Sequence, residues 1–140
     1  MMQQRQRKGF TLVELVVVVL VLGIIAAVAA PKMFDTATSA RDNSTVQSIA
    51  VVRDAIELYK ARNGVYPGDG GTSSDLHDDL KPFLKGPFPK STLGGAPGDR
   101  SVKIETDGSA LAGDVDGTTD WIYDNTTGEI LINESGYETR

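Results

Sequence analysis

Residues 8–15 read KGFTLVEL, and residues 16–30 continue as the uncharged run VVVVLVLGIIAAVAA. The segment from Phe10 to Ala30 has 21 residues. At about 1.5 Å per residue it forms roughly 31 Å of helix, which matches the hydrocarbon core of a bilayer. Only helices and closed barrels satisfy their backbone polar groups in lipid, and a single segment cannot close a barrel. The stretch therefore predicts a membrane-embedded helix.

Glu14 is the one charged residue in this apolar segment. An ionised carboxylate in an apolar environment is costly and needs a cationic partner, so Glu14 is a candidate functional residue. The alternative is a carboxylate near a helix end that simply reaches the membrane interface.

The residues before the segment are basic. Arg5, Arg7 and Lys8 occur among the first nine residues, and no acidic residue does. A basic start and an apolar run are typical of a secretory signal, but here the small residue Gly9 precedes the run instead of following it. The basic end is expected to stay cytoplasmic while the C-terminal part is exported.

The octet at residues 8–15 resembles the class III signal of type IV pilins and type II secretion pseudopilins. The resemblance implies that a prepilin peptidase cuts between Gly9 and Phe10, and that the new N-terminal Phe10 is N-methylated. It also implies that Glu14 pairs with the N-terminal amine of a neighbouring subunit during assembly. The resemblance is strong over residues 5–59 and weaker beyond.

The 140 residues divide into a leader, a long helix and a head. The leader is residues 1–9, and residues 10–63 are predicted to form one helix. Its first half, 10–30, would lie in the membrane or filament core. Its second half, 31–63, is amphipathic, because apolar residues recur there at spacings of three and four. Residues 64–140 are left for a small globular head.

Two positions in this helix favour a bend. Gly23 has no side chain, and Pro31 removes a backbone donor and clashes with the preceding turn. The pair Asn63-Gly64 is a good C-terminal stop for the helix.

The head is predicted to combine a short helix with a sheet. Ser74 would cap the helix, residues 75–81. Alternating or continuous apolar residues predict strands at 102–105, 121–123 and 129–132, the last two joined by a hairpin with a glycine-containing loop. The expected fold is α+β, with the long N-terminal helix packed on a small antiparallel sheet, as in pilins.

The acidic charge balance argues against one class of partner, the nucleic acids. Without the three basic leader residues, eleven basic and nineteen acidic side chains remain, a formal charge of −8. This argues against nucleic-acid binding, which needs a basic surface. Cysteine is absent, so no disulfide can form. The resemblance favours pseudopilins on this point, because many type IV pilins close their C-terminal region with a disulfide.

Acidic residues cluster near the C-terminus, at Asp114, Asp116, Asp120 and Asp124. Carboxylate oxygens on a loop suit calcium, although the spacing is not that of an EF-hand. A calcium site and ordinary solvated loop acids are both open interpretations. His77, the only histidine, is expected to be a surface residue. No spacing indicates a catalytic constellation, so the chain is not expected to be an enzyme.

The resemblance implies a structural subunit that polymerises with its own copies, best matched to a type II secretion pseudopilus. Its implied partners are the prepilin peptidase, an inner-membrane assembly platform, an ATPase and minor pilins or pseudopilins. Its implied location is the bacterial inner membrane, single-pass, with the head in the periplasm. One alternative is a type IV pilin of a surface pilus for adhesion, motility or DNA uptake. The other is a membrane-tethered periplasmic domain that never polymerises.

Overall fold

The computed structural model describes residues 9–93 and 98–139, so the predicted leader up to Lys8 lies outside the described residues. Its elements, in chain order, are α1 (Leu12–Asn63), α2 (Ser73–Leu80), β1 (Val102–Glu105), β2 (Trp121–Asp124) and β3 (Ile130–Ile132). The long apolar helix and the small three-stranded sheet confirm the predicted α+β, pilin-like fold class. The chain divides between Thr38 and Ser39 into two compact units.

Helix α1 is assigned without interruption through Gly23 and Pro31. A bend at these two positions stays a prediction. The helix ends where Gly64 adopts a φ of +80° and its N–H donates to the Lys60 carbonyl at 2.8 Å. This is the left-handed glycine cap that closes many helices, because glycine has no Cβ to clash in that conformation.

The second unit has one main apolar core, to which α1 contributes a single face. Ile49, Val52 and Ile56 lie on that face at spacings of three and four, and each is at most 1% exposed. They belong to the same buried cluster as α2 and the sheet, whose members include Leu76, Leu80, Trp121, Tyr123, Ile130 and Ile132. Burying one large apolar side chain contributes about 1.5–3 kcal/mol, so this face of α1 stabilises the head.

The sheet is mixed, with strand order β1-β2-β3. Strand β2 pairs antiparallel with β3, and the Gly128 N–H donates to the Asp124 carbonyl at 2.8 Å, which confirms the hairpin. The prediction of a fully antiparallel sheet is wrong, because β1 runs parallel to β2. Residues 106–120, which include a 3₁₀ turn, separate the two strands. Parallel neighbours need a crossover of about a dozen residues or more, and this connection is long enough.

Helix α2 begins two residues earlier than predicted. Its cap is Thr72, whose hydroxyl accepts the Asp75 N–H at 3.2 Å, and Ser74 lies inside the helix. Thr72 has extended backbone angles, which is the conformation a capping residue needs. The chain continues after Leu80 as a 3₁₀ turn, Lys81–Phe83.

Candidate functional site

The predicted cleavage position lies in exposed, non-helical chain. Gly9 and Phe10 precede α1, and Phe10 is 88% exposed. Apart from its chain neighbours, no atom of the described residues lies within 4 Å of the place where a Cβ on Gly9 would stand. A peptidase needs an accessible backbone outside regular helix, and these two residues are exposed and precede α1. Cleavage and methylation here stay predictions.

Glu14 has a local role that the sequence interpretation missed. Its Oε2 accepts the Thr11 backbone N–H and the Thr11 hydroxyl, each at 2.8 Å, and the Glu14 N–H donates to the Thr11 hydroxyl oxygen at 3.3 Å. This reciprocal arrangement is a capping box. The signal was present in the sequence, since threonine followed three residues later by glutamate before an apolar run is its signature. Glu14 therefore caps the start of α1, with its carboxylate held by Thr11.

The apolar half of α1 is exposed along its length. Its large hydrophobic side chains from Leu12 to Val28 are between 48% and 77% exposed. In the described part of the chain, α1 is the one helix long and apolar enough to cross a membrane. None of its most apolar 18-residue stretch is buried. An apolar surface of this size marks a membrane or protein interface.

The four aspartates predicted as a calcium site lie in separate contacts. The Asp120 carboxylate is buried and accepts three backbone N–H groups, from Ser91 at 2.9 Å and from Gly98 and Arg100 at 3.2 Å each. The Asp124 Oδ1 accepts the N–H groups that follow it in the β2–β3 loop, at 2.6 and 3.1 Å. Asp120 therefore holds the chain before β1, and Asp124 shapes the hairpin turn.

Lys103 is the cation of the acidic loop. Its Nζ lies 2.9 Å from the Asp114 carbonyl, 3.1 Å from Asp116 Oδ2 and 3.2 Å from Glu105 Oε1. Three oxygens match the three donors of an ammonium group. The Thr118 backbone N–H is the largest cause that lowers the pKa of the Asp116 carboxyl, followed by the Thr118 hydroxyl. The loop carboxylate is therefore held in its charged form beside Lys103.

Among residues 9–93 and 98–139, no three His, Cys, Asp or Glu side chains are grouped so that they could hold a metal ion. The carboxylates of Asp116 and Asp120 already accept an ammonium group and backbone N–H groups respectively, so this geometry gives calcium no support. Calcium binding at Asp114, Asp116, Asp120 and Asp124 stays a prediction.

His77 is not the surface residue expected. It is half-buried, and its ring stacks on Phe88 with ring centroids 4.2 Å apart. Burial lowers the pKa of His77 below its ordinary value of 6.5. The residue therefore lies in a packed part of the head, which no local sequence pattern indicated.

Replacing Asp120 by asparagine is expected to lower the free energy of unfolding by about 2–3 kcal/mol, because buried N–H groups lose a charged acceptor. Urea unfolding of the full chain in detergent micelles, followed by Trp121 fluorescence, measures this. Asp107→Asn is the matched control, since Asp107 is an exposed loop acid. Equal losses for the two variants would show that Asp120 has no special structural role.

A comparison with protein-family profiles matches the N-terminal region. A family profile described as the prokaryotic N-terminal methylation motif matches residues 4–30, which include Gly9, Phe10 and Glu14. No solved structure matches the chain significantly.

Similar curated proteins carry one name. The type II secretion system core protein G of Pseudomonas aeruginosa is 36% identical over 90 residues, which cover 64% of this chain and 61% of that protein. The protein of that name from Vibrio cholerae is 37% identical over 67 residues, 48% of this chain and 46% of its own length. The one from Aeromonas hydrophila is 36% identical over 66 residues, 47% and 46%. The chain thus spans about half to three fifths of the length of these relatives.

Proposed function

We propose that the chain belongs to the type IV pilin-like pseudopilin family and is a structural subunit of a type II secretion pseudopilus. One observation carries the proposal. The methylation motif at residues 4–30 coincides with an exposed Gly9–Phe10 peptide and with a helix whose apolar side chains are exposed in the described part of the chain. Such a helix needs lipid before assembly and other copies of itself after assembly.

The proposed route begins with a single-pass precursor in the bacterial inner membrane, with its head in the periplasm. Prepilin peptidase cuts after Gly9, and the Phe10 amine is methylated. The helix then leaves the bilayer and packs against the same segment of other copies. Lipid is as apolar as a neighbouring helix, so the gain comes from close packing and from polar pairing. The Glu14 carboxylate supplies that pairing with a neighbour's Phe10 amine.

The proposed partners follow from this route. Copies of the chain form the filament, and the prepilin peptidase, an inner-membrane platform, an ATPase and minor pseudopilins act on it. The head contributes a folded surface to the filament, which is a structural role and not a catalytic one.

The intact mass of the protein from the membranes of its native host is the direct test of processing. A mass equal to that of residues 10–140 plus one methyl group is expected. A chain that retains its first nine residues, or one cut after Ala30, would contradict the proposal and leave a tethered or simply secreted domain.

A surface pilus is the runner-up, and the phenotype of a strain lacking this chain separates the two. For a pseudopilus, loss of the chain should retain secreted proteins in the periplasm while surface filaments persist. The names of the similar proteins favour this outcome. Normal secretion with lost surface filaments would assign the chain to a pilus.

A further inference from the structure

The head contains a cavity of about 320 Å³ beside α2. Its walls combine charged and apolar side chains from α2, from the chain that follows α2, and from Arg100, two residues before β1. The lining residues are His77, Asp78, Lys81, Leu84, Gly86, Pro87, Phe88 and Arg100. A volume of this size is at the lower end of small-molecule sites.

Two buried nitrogens at this cavity have no hydrogen-bond partner in the described part of the chain, His77 Nε2 and Arg100 Nε. Polar atoms removed from water are nearly always paired, so two neighbouring exceptions indicate a missing partner. The Phe88 ring fixes the plane of the His77 ring through the stacking contact. The cavity is therefore lined by an oriented His77 ring and by residues whose buried nitrogens lack an acceptor in the described part of the chain.

The backbone of Arg100 is held in an unusual conformation. Its φ is 62°, the one positive value among the described non-glycine residues, and its N–H donates to Asp120 Oδ2 at 3.2 Å. Strain of this kind persists where the surroundings impose it, and it concentrates at ligand sites. Asp120 thus sets the position from which Arg100 lines the cavity.

The charges at the cavity favour an anion. Lys81 and Arg100 are cationic and Asp78 is anionic, so the lining carries one net positive charge while His77 is neutral. This is opposite in sign to the whole chain, whose formal charge is −5. A singly charged anion matches that balance, and Leu84 and Pro87 offer an apolar wall.

We propose that this cavity binds a small organic carboxylate, held by Arg100 and His77, with its hydrocarbon part against Leu84 and Pro87. The guanidinium edge presents the donor pair that fits a carboxylate. A proton on His77 Nε2 would supply a further donor. Three charged groups lie around His77. Asp78 is on the same helix, Lys81 directly follows that helix, and Arg100 comes from a separate segment of the chain.

Binding and protonation of His77 are linked in this arrangement. Burial lowers the pKa of His77 in the free protein. An anion that prefers the protonated ring raises that pKa, and by reciprocity binds more tightly as the pH falls through it.

The experiment is a propionate titration of the full chain in detergent micelles, followed by the NMR signals of the His77 ring. Because the chain has one histidine, these signals need no assignment. We expect a saturable shift and a higher His77 pKa with propionate, and neither with chloride at equal ionic strength. A shift that rises linearly with either salt would overturn the proposal, and so would tighter binding of phosphate than of propionate.

Variants locate the site. Arg100→Asn should weaken propionate binding at least about tenfold, since it removes a charge-assisted hydrogen bond. Asparagine tolerates a positive φ, which protects the fold. Arg100→Lys keeps the charge without the fork and should also weaken binding. Lys85→Gln, an exposed change outside the lining, is the matched control and should bind as the parent does. Parental affinity in both Arg100 variants would overturn the proposal.

Discussion

Replacing Glu14 by glutamine is expected to abolish filament assembly while α1 still begins at Leu12. Glutamine serves as well as glutamate at this position of a capping box, so the contacts with Thr11 survive. What the substitution removes is the negative charge proposed to pair with the Phe10 amine of a neighbour. A buried amine left without that partner is strongly unfavourable, by about 3–5 kcal/mol per contact.

The matched control for this variant is Thr11→Val, which removes the capping hydroxyl and keeps the carboxylate. It should cost about 1 kcal/mol of helix stability and leave assembly largely intact. Electron microscopy of filaments from cells expressing the secretion system, with membrane levels of each variant checked by immunoblot, measures both. If Glu14→Gln assembled normally while Thr11→Val failed, Glu14 would be a helix cap and nothing more.

Replacing Gly128 by alanine is expected to destabilise the head by about 3 kcal/mol, because a strained backbone and an overpacked contact coincide. Gly128 has a φ of +78°, and an added Cβ would overlap the Tyr66 ring. The Lys60 Nζ bonds the Tyr66 hydroxyl, so the ring cannot move away freely. Urea unfolding followed by Trp121 fluorescence measures the loss in the full chain.

Gly64→Ala isolates the backbone part of that effect. Gly64 has nearly the same φ, +80°, and no atom within 4 Å of an added Cβ, so its substitution should cost only about 1–2 kcal/mol. Adding Tyr66→Ala to Gly128→Ala should then cost less than the two single changes together, because the overlap is gone. Equal losses at Gly128 and Gly64 would show that the Tyr66 contact carries no energy.

Patterns of neighbouring residues predicted those helices and turns that depend only on neighbouring residues. The apolar run and the Asn63-Gly64 stop correspond to α1, and the turn between β2 and β3 appears where its glycine places it. The direction of β1 was missed because it depends on how residues 106–120 cross the head, and no residue spacing encodes that path. Thr72 caps α2 in place of the predicted Ser74. Both residue types can cap a helix, and only their backbone angles distinguish them.

The site residues divide in the same way. Glu14 could be singled out because one charge in an apolar run is anomalous in any fold. The roles of Asp116 and Asp120 could not be interpreted from spacing alone, since the partners that distinguish them come from elsewhere in the chain. Lys103 lies in β1, and the N–H groups bound by Asp120 lie twenty to twenty-nine residues before it. The cavity at His77 could not be predicted from the sequence either, because Arg100 joins it from a separate segment.

The core of the head joins residues that lie far apart in the sequence. Arg53, in α1, donates from Nη2 to the Ile130 carbonyl at 3.0 Å across 77 residues of chain. Strand β3 therefore covers a helix face that was synthesised long before it, and contacts of such separation form slowly. Until the ribosome has delivered residue 132, the core that buries Ile49, Val52 and Ile56 still lacks β3. A nascent chain of this protein thus exposes two apolar surfaces, the first half of α1 and the face at Ile49, Val52 and Ile56, and the second is fully covered only when the sheet is complete.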